Sequence, residues 1–319
     1  MPAPISLIVN PVAGGGRAAR IAGEAETTLR GHGLTLTRAD TQSLEHAREL
    51  AVEGAGSGRT VVAVSGDGMV GAIADSLRHI PGAVLGLIPG GRGNDLARVL
   101  GIPAKAEPAC EIIARGNTRT VDLGVVADAG GTGQHRTFVG IASAGFDSDA
   151  NRIANEAPSW LGGLVYAYGA IRALMVWRRA RFEIELGPSG ERRAFTGYSF
   201  AAANSRAYGG GMMLAPQAML DDGLLEIVLI EDVSKTRFLA NLPKVFRGTH
   251  VQESTVTVLR ARDVTVSADR PFTMYADGDP IGELPVRIST LAGAVTMIVP
   301  ETDAPGGAFS GPAAPPASA

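Results

Sequence analysis

Along the first third of the chain, short apolar runs alternate with segments whose apolar residues recur at helical spacing. Ile5 to Val9, Thr60 to Val64 and Val84 to Ile88 are nearly continuous apolar runs of strand length. Such runs fit strands of a parallel sheet covered on both faces. Leu34 to Arg38 reads as another strand. Arg17 to Arg30, Ser43 to Glu53 and Val70 to Arg78 read as helices, and Asp95 to Leu100 opens a further one. Ser43 is a fitting N-cap, with Glu45 well placed in the first turn. This alternation predicts an open α/β domain over residues 1–122, its parallel strands joined by crossover helices.

After Val121-Asp122-Leu123 the pattern changes. Strand-like runs follow at Thr137 to Ile141, Arg181 to Leu186, Tyr198 to Ala203, Leu224 to Ile230, Ser254 to Leu259 and Asp263 to Val266. Three more lie at Phe272 to Tyr275, Val286 to Ser289 and Ala294 to Val299. Turn signals separate them, which predicts an all-β sandwich over 123–293. One helix, Trp160 to Trp177, interrupts this half. Its Leu161, Leu164, Val165, Tyr168, Ile171 and Met175 share a face, and Arg178, Arg179 and Arg181 follow. That face reads first as core packing. The alternative is an interfacial element docking on an anionic membrane. The tail, 301–319, is rich in Pro, Gly, Ala and Ser and predicts disorder.

Composition narrows the classes. At 319 residues the chain has room for about two domains. Its net charge of −3 argues against a nucleic-acid partner. A single cysteine, Cys110, excludes a disulfide framework and a cysteine zinc site, and it reads as an inert, partly buried thiol. The five histidines are scattered without metal-ligand spacing. No secretory leader or bilayer-spanning stretch is visible, so the reading is cytoplasmic. The 42 glycines point to tight turns and close backbone approaches.

Three glycine-rich segments follow strands of the first domain: Asn10 to Arg17, Ser65 to Gly68, and Pro89 to Asp95. In an open α/β sheet, ligands bind beyond the carboxyl ends of the strands, so the three loops gather on one rim. Each presents backbone N–H groups and a helix N-terminus to an anion, and Arg17 and Arg92 can add charge. One such loop alone reads as a tight turn; three on one rim read as a phosphate site. Neither a Walker P-loop nor a Rossmann fingerprint occurs.

The second half carries acidic pairs beside glycine: Asp221-Asp222-Gly223 and Asp277-Gly278-Asp279. Either alone is a common hairpin turn. Phosphoryl transfer, however, uses one carboxylate for a cation and another for the acceptor hydroxyl. Gly209-Gly210-Gly211 marks a backbone that something approaches closely.

Taken in order, these motifs resemble the diacylglycerol kinase catalytic-domain family of bacterial lipid kinases, related to sphingosine and ceramide kinases. Asn10-Pro11 with its glycines is similar to the family's NPxSG loop, Ser65 to Gly68 to its GGDG loop, and Pro89 to Arg98 to PxGTxNDFAR. Gly145-Phe146-Asp147 resembles GFDA, and Asp277-Gly278-Asp279 resembles DGE. Ala203-Asn204, Gly209 to Met212, Ala215-Pro216 and Asp222-Gly223-Leu224 follow the family order.

The resemblance implies an ATP-dependent lipid kinase, with ATP in a cleft between a nucleotide-binding domain and a β-sandwich. Asn10, Pro11, Val12, Ala13, Gly14, Thr41, Gly66, Asp67, Gly68, Met69, Arg92 and Asn94 would then line the nucleotide. Asp67 would stand beside the phosphates through Mg²⁺ or water. Asp222, with the carbonyls of Met219 and Leu224, would hold a structural Mg²⁺. Asp277 or Asp279 would serve the hydroxyl of a diacylglycerol-like lipid presented at a membrane surface, here the inner membrane face. In the family the last strand, near 294–300, can return to the first domain. His250 falls where the family often carries Gly-x-His, and a structural hydrogen bond is its expected role.

The chain departs from the family at Met69 for Thr, Gly71-Ala72 for Asn-Glu, Arg92 for Thr and Asp279 for Glu. A guanidinium at 92 can bind phosphate or block the nucleotide. Two rival readings therefore stand: an NAD kinase-like enzyme, and a non-catalytic lipid- or nucleotide-binding pseudokinase. The sequence leaves the oligomeric state open, a homodimer included.

Overall fold

A computed structural model describes residues 3–130, 135–156, 165–301 and 307–311. The first half is a parallel α/β domain: β1 (Ile5–Val9), α1 (Arg17–Gly31), β2 (Leu36–Asp40), α2 (Leu44–Gly56), β3 (Thr60–Ser65), α3 (Asp67–Leu77), β4 (Val84–Pro89), α4 (Asp95–Leu100) and α5 (Ala106–Arg115). The strands run in the order β4-β3-β1-β2. Their apolar residues are buried from both faces, as the unbroken runs require. Ser43 caps α2, its hydroxyl accepting the N–H of His46 at 3.1 Å. Helix α5 is additional to the elements read from the sequence. Pro108 interrupts its helical pattern, yet proline is tolerated in a first turn, and Ala109, Cys110 and Ile113 bury the inner face of the helix. Burial pushes the Cys110 thiol up to about 12, which keeps it unreactive.

The second half is mostly β and sandwich-like. It comprises β5 (Thr118–Asp128), β6 (Arg136–Phe138), β7 (Ile141–Gly145), α6 (Phe146–Glu156), α7 (Val165–Val176), β8 (Ala180–Gly187), β9 (Glu191–Ala203), β10 (Leu225–Glu231), α8 (Lys235–Phe246), β11 (Val256–Ala261), β12 (Asp263–Ala268), β13 (Thr273–Ala276), β14 (Asp279–Glu283) and β15 (Val286–Ile298). The two runs read at Val286 to Ser289 and Ala294 to Val299 are one long strand with a register shift between Leu291 and Val295. Its first part pairs with β12 and its end pairs in parallel with β4. Together β5 and β15 form an antiparallel ribbon through both halves.

Two further expectations change. Tyr168, Ile171 and Met175 of α7, read as a core face, point outward, and Ala173, Leu174 and Trp177 are buried instead. Leu161 and Leu164 lie outside the described residues. Within the tail, residues 307–311 dock rather than wander. Phe309 is buried beneath the Arg119 guanidinium, 4.0 Å from its ring centroid. Leu220 N–H donates to the Ala308 carbonyl at 2.9 Å, and Ser310 binds the Asp221 carboxylate through both N–H and hydroxyl. The remainder of the tail, 302–306 and 312–319, lies outside the described residues.

Candidate active site

The three glycine loops pack directly on one another at the carboxyl edge of the parallel strands. A Cβ on Gly66 would lie 3.1 Å from the Gly91 Cα, and a Cβ on Gly14 would run into the Gly90 carbonyl. Gly14 also holds φ at +62°, where a side chain is strained. The Arg17 guanidinium donates to the Gly91 carbonyl, tying the first loop to the third. Asn94 folds the third loop on itself: its Oδ1 accepts the Gly91 N–H at 2.8 Å and its Nδ2 donates to the Gly91 carbonyl at 2.9 Å. Asn10 accepts the Val12 N–H at 3.3 Å. Pro11, Val12 and Ala13 form the outer edge of this turn, where Val12 is exposed.

Asp67 spends both carboxylate oxygens on the start of α4, accepting the N–H groups of Asp95 and Leu96 at 3.0 Å each. A carboxylate there complements the helix N-terminus. Burial pushes its pKa up, against the pull of these two donors. This geometry makes Asp67 a tether between the second and third loops. Met69 turns into the core, with the Thr41 hydroxyl 3.9 Å from its sulfur, so both sit beneath the loop surface. Arg92 is exposed and borders the cleft.

The turn between β13 and β14 reaches these loops from the other half. Asp279 approaches Gly68: a Cβ there would lie 3.1 Å from the Asp279 Oδ2. Desolvation pushes the Asp279 pKa up, and Arg136 pulls it down. Asp277, held at φ +51°, accepts the N–H groups of Val139 and Gly140 at 2.9 Å each. Those two residues consequently break the run read as one strand from Thr137 to Ile141. Burial first, and then the negative charge of Asp67, raise the Asp277 pKa to about 7.

A cavity of about 680 Å³ begins at Gly66 to Gly68, passes Asp277, and continues into the second half. Its inner end is apolar, with Phe146, Ile230, Phe238 and Leu242 among its walls. Within it, the Asp147 Oδ1 accepts the Ser199 hydroxyl at 2.8 Å, and its Oδ2 is buried without a partner. Burial raises the pKa of this carboxyl. Asp147 belongs to a motif quoted from the sequence, but its unpaired oxygen had no sequence signal. His250 is buried, one ring nitrogen 3.0 Å from the Leu214 carbonyl, the structural bond expected of it.

The acidic turn at 219–224 does not fit a divalent cation as it stands. The Asp222 Oδ1 accepts the Leu224 N–H at 3.0 Å, and its Oδ2 pairs with the Arg260 guanidinium. Arg119 and Ser310 satisfy Asp221. The neighbouring Asp122 is consumed by the N–H groups of Gly223 and Gly293 at 2.7 and 2.6 Å. Among the described residues no cluster of carboxylates and histidines forms a metal site. No helix there is long and apolar enough to cross a membrane.

Residues 4–126 match the diacylglycerol kinase catalytic domain, and residues 140–299 match the YegS C-terminal NAD kinase beta sandwich-like domain. The chain belongs to the diacylglycerol kinase and YegS-like lipid kinase family, and family membership implies ATP use. It is 33% identical over 300 residues to a diacylglycerol kinase of Mycobacterium tuberculosis, spanning 93% of this chain and 95% of that protein. A probable YegS-like lipid kinase of Stenotrophomonas maltophilia is 32% identical over 254 residues, 75% of this chain and 78% of its own. A putative diacylglycerol kinase from Bacillus anthracis shares the fold with a TM-score of 0.76 at 24% identity, over 93% of this chain and 97% of that one. Yeast NADH kinase shares it more loosely, with a TM-score of 0.53 at 11% identity, over 94% and 84%.

Proposed function

We propose that the protein transfers the γ-phosphoryl group of ATP to the hydroxyl of a diacylglycerol-like lipid, in the cleft between its two halves. The observation that carries this reading is the single cavity joining Gly66 to Gly68, the Asp277 carboxylate and an apolar chamber. One end suits phosphates and the other suits acyl chains.

The backbone N–H groups of the loops 10–14, 66–68 and 90–94 bind the phosphates, with Arg92 adding charge from the rim. Asp67 keeps the second and third loops in register through α4. Asp277 takes the proton of the lipid hydroxyl as that oxygen bonds to the γ-phosphorus and the bond to the departing ADP breaks. A carboxylate with a pKa near neutrality is suited to such a transfer. Asp279, set against Gly68, orients the turn on the phosphate side. A divalent cation carried by the nucleotide would neutralise phosphate charge when bound.

The test is a transfer assay with γ-labelled ATP and Mg²⁺, offering diacylglycerol, ceramide, sphingosine and phosphatidylglycerol in micelles and NAD separately. Label in diacylglycerol that disappears with Asp277→Asn is the expected result. Label in NAD alone, or ATP binding with no transfer to any acceptor, would overturn the reading.

A further inference from the structure

We propose that Asp147, with the Tyr208 hydroxyl beside it, forms a hydrogen-bonding subsite for an ester carbonyl of the acceptor lipid, and so makes the protein select acyl esters over ethers. The class of acceptor rests on the lipid-kinase reading; the subsite rests on the cavity itself. Asp147 is the second residue of α6, where the chain leaves β7 through Gly145 at φ +129°. A Cβ on Gly145 would run into the Tyr198 carbonyl, so glycine alone allows this sharp exit. The turn sets the Asp147 side chain in the cavity wall.

The protein leaves this carboxyl half satisfied. Its Oδ1 accepts the Ser199 hydroxyl, and its Oδ2 is buried with no partner. No basic side chain among the described residues pairs with it. Burial raises its pKa against the pull of the Ser143 and Ser199 hydroxyls, which favours the uncharged acid with an O–H to donate. An unmet polar group in an apolar chamber is costly, and a ligand that meets it recovers that cost.

Tyr208 joins this carboxyl to the phosphate end. Its loop is closed at the neck by the Tyr208 and Met212 backbones, which exchange two N–H to carbonyl bonds at 3.0 Å, and is held by Asp95 on the Gly210 N–H. The phenol lines the cavity and hydrogen-bonds to no described residue. Burial, and then the charges of Asp147 and Asp95, raise its pKa well above the ordinary value, so it is a second donor. On the other side of Asp147, the Phe146 ring meets Phe238 at a centroid distance of 4.7 Å, in the apolar end of the cavity. Two unmet donors thus fall between the reacting end and the apolar end. A diacylglycerol carries its parts in the same order: a free hydroxyl, then ester carbonyls, then acyl chains. Carbonyl oxygens accept and cannot donate, which suits two donors with no countercharge. A long-chain amine would bring a positive charge and call for an ionised carboxylate instead.

The experiment compares a short-chain diacylglycerol with the dialkylglycerol ether of equal chain length, which keeps the hydroxyl and the chains but lacks the carbonyls. Turnover is read with γ-labelled ATP and binding by calorimetry, on the full chain. Wild type should favour the ester by about ten- to hundred-fold in kcat/KM, since a site built to hydrogen-bond rejects an analogue lacking the partner. Asp147→Ala should bring that ratio close to one, and Tyr208→Phe should lower it part of the way. Asp147→Asn keeps a neutral donor and should keep most of the preference. A wild type indifferent to the two lipids would overturn the proposal. So would an equal loss on both lipids in Asp147→Ala, which is what a structural role alone predicts, or an Asn variant as impaired as the Ala variant. Ester-selective binding that depends on Asp147 in a protein that phosphorylates no lipid would uphold the subsite and refute only the kinase reading. Turnover without ester preference would do the reverse, and neither binding nor turnover of either lipid would overturn both.

Discussion

Asp95, the first residue of α4, accepts the N–H of Gly210 through its Oδ2 at 2.8 Å, so a side chain of the first half holds the triple-glycine loop of the second. Its other oxygen pairs with Arg98, and Asp67 in turn holds its N–H. The carboxylate of 95 is thus a joint between the phosphate loops and the chamber. Asp95→Ala leaves the Gly210 N–H and the Arg98 guanidinium unmatched. Losing a hydrogen bond to a charged group costs about 2 kcal/mol, and turnover should fall by more than ten-fold through misregistered halves. Asp95→Asn keeps one acceptor and should recover part of both losses. Thermal unfolding alongside kcat and KM checks this; unchanged kinetics in the alanine variant would count against the joint.

The raised pKa of Asp277 makes a two-sided pH prediction. As the proton acceptor it must be ionised, so kcat/KM should decline as pH falls through about 7. Stability runs the opposite way. The folded-state pKa exceeds the ordinary carboxylate value of 3.8, so folding favours the protonated form. The stabilisation from this proton is complete below the ordinary value and is lost as pH rises towards and through 7. Asp277→Asn should remove the acid limb with a rate loss of about two to four orders of magnitude, and should flatten the stability slope over that window. A pH–rate profile and a pH series of melting temperatures separate the two effects. An acid limb that persists in the variant would assign it to another group, Asp279 first.

The turn at 219–224 yields a prediction about metal removal. Arg260 provides the countercharge for Asp222 that a divalent cation would otherwise supply. In the absence of nucleotide, the melting temperature should therefore be the same in EDTA and in Mg²⁺. Arg260→Gln leaves Asp222 without a cation and takes the partner from the buried Glu226, whose Oε1 lies 3.0 Å from the guanidinium, so it should cost about 2–3 kcal/mol. In that variant Mg²⁺ should restore stability. A wild-type protein that melts lower in EDTA would mean that the cation displaces Arg260.

How much of this was legible in the sequence depended on the scale of the signal. The parallel strands were plain because each is an unbroken apolar run, and Ser43 marked its helix by local chemistry alone. The glycines of the three loops declared a close approach, and Gly14 does pack on Gly90, and Gly66 on Gly91. Long-range acceptors were not legible. Nothing around Asp67 in the sequence announces its two N–H donors from α4, and Asp222 reads as a cation ligand until Arg260 is placed beside it. Helix α8 was hidden by Pro243 and by an apolar pattern serving a cavity instead of a core. The apolar face of α7 was visible by spacing, but periodicity does not say whether such a face meets protein or solvent.

The docked tail provides the last test. Composition alone marks residues 301–319 as unstructured, yet Phe309 is buried beneath Arg119 and its neighbours satisfy Leu220 and Asp221. An isolated aromatic in a Pro-Gly-Ala segment is a docking signal because it is the one side chain able to bury a large apolar area. Phe309→Ala removes that area and the ring under the guanidinium, and should cost about 2–3 kcal/mol. At about 2–4 °C per kcal/mol for a domain of this size, the melting temperature should fall by roughly 4–12 °C. Because Asp221 adjoins Asp222, the variant should also loosen the turn at 219–224, raising hydrogen exchange at Gly223 and Gly293, whose N–H groups bond Asp122. A deletion from residue 302 onward should reproduce both effects. A truncated chain that melts with wild type would show that the segment contributes no stability where it rests.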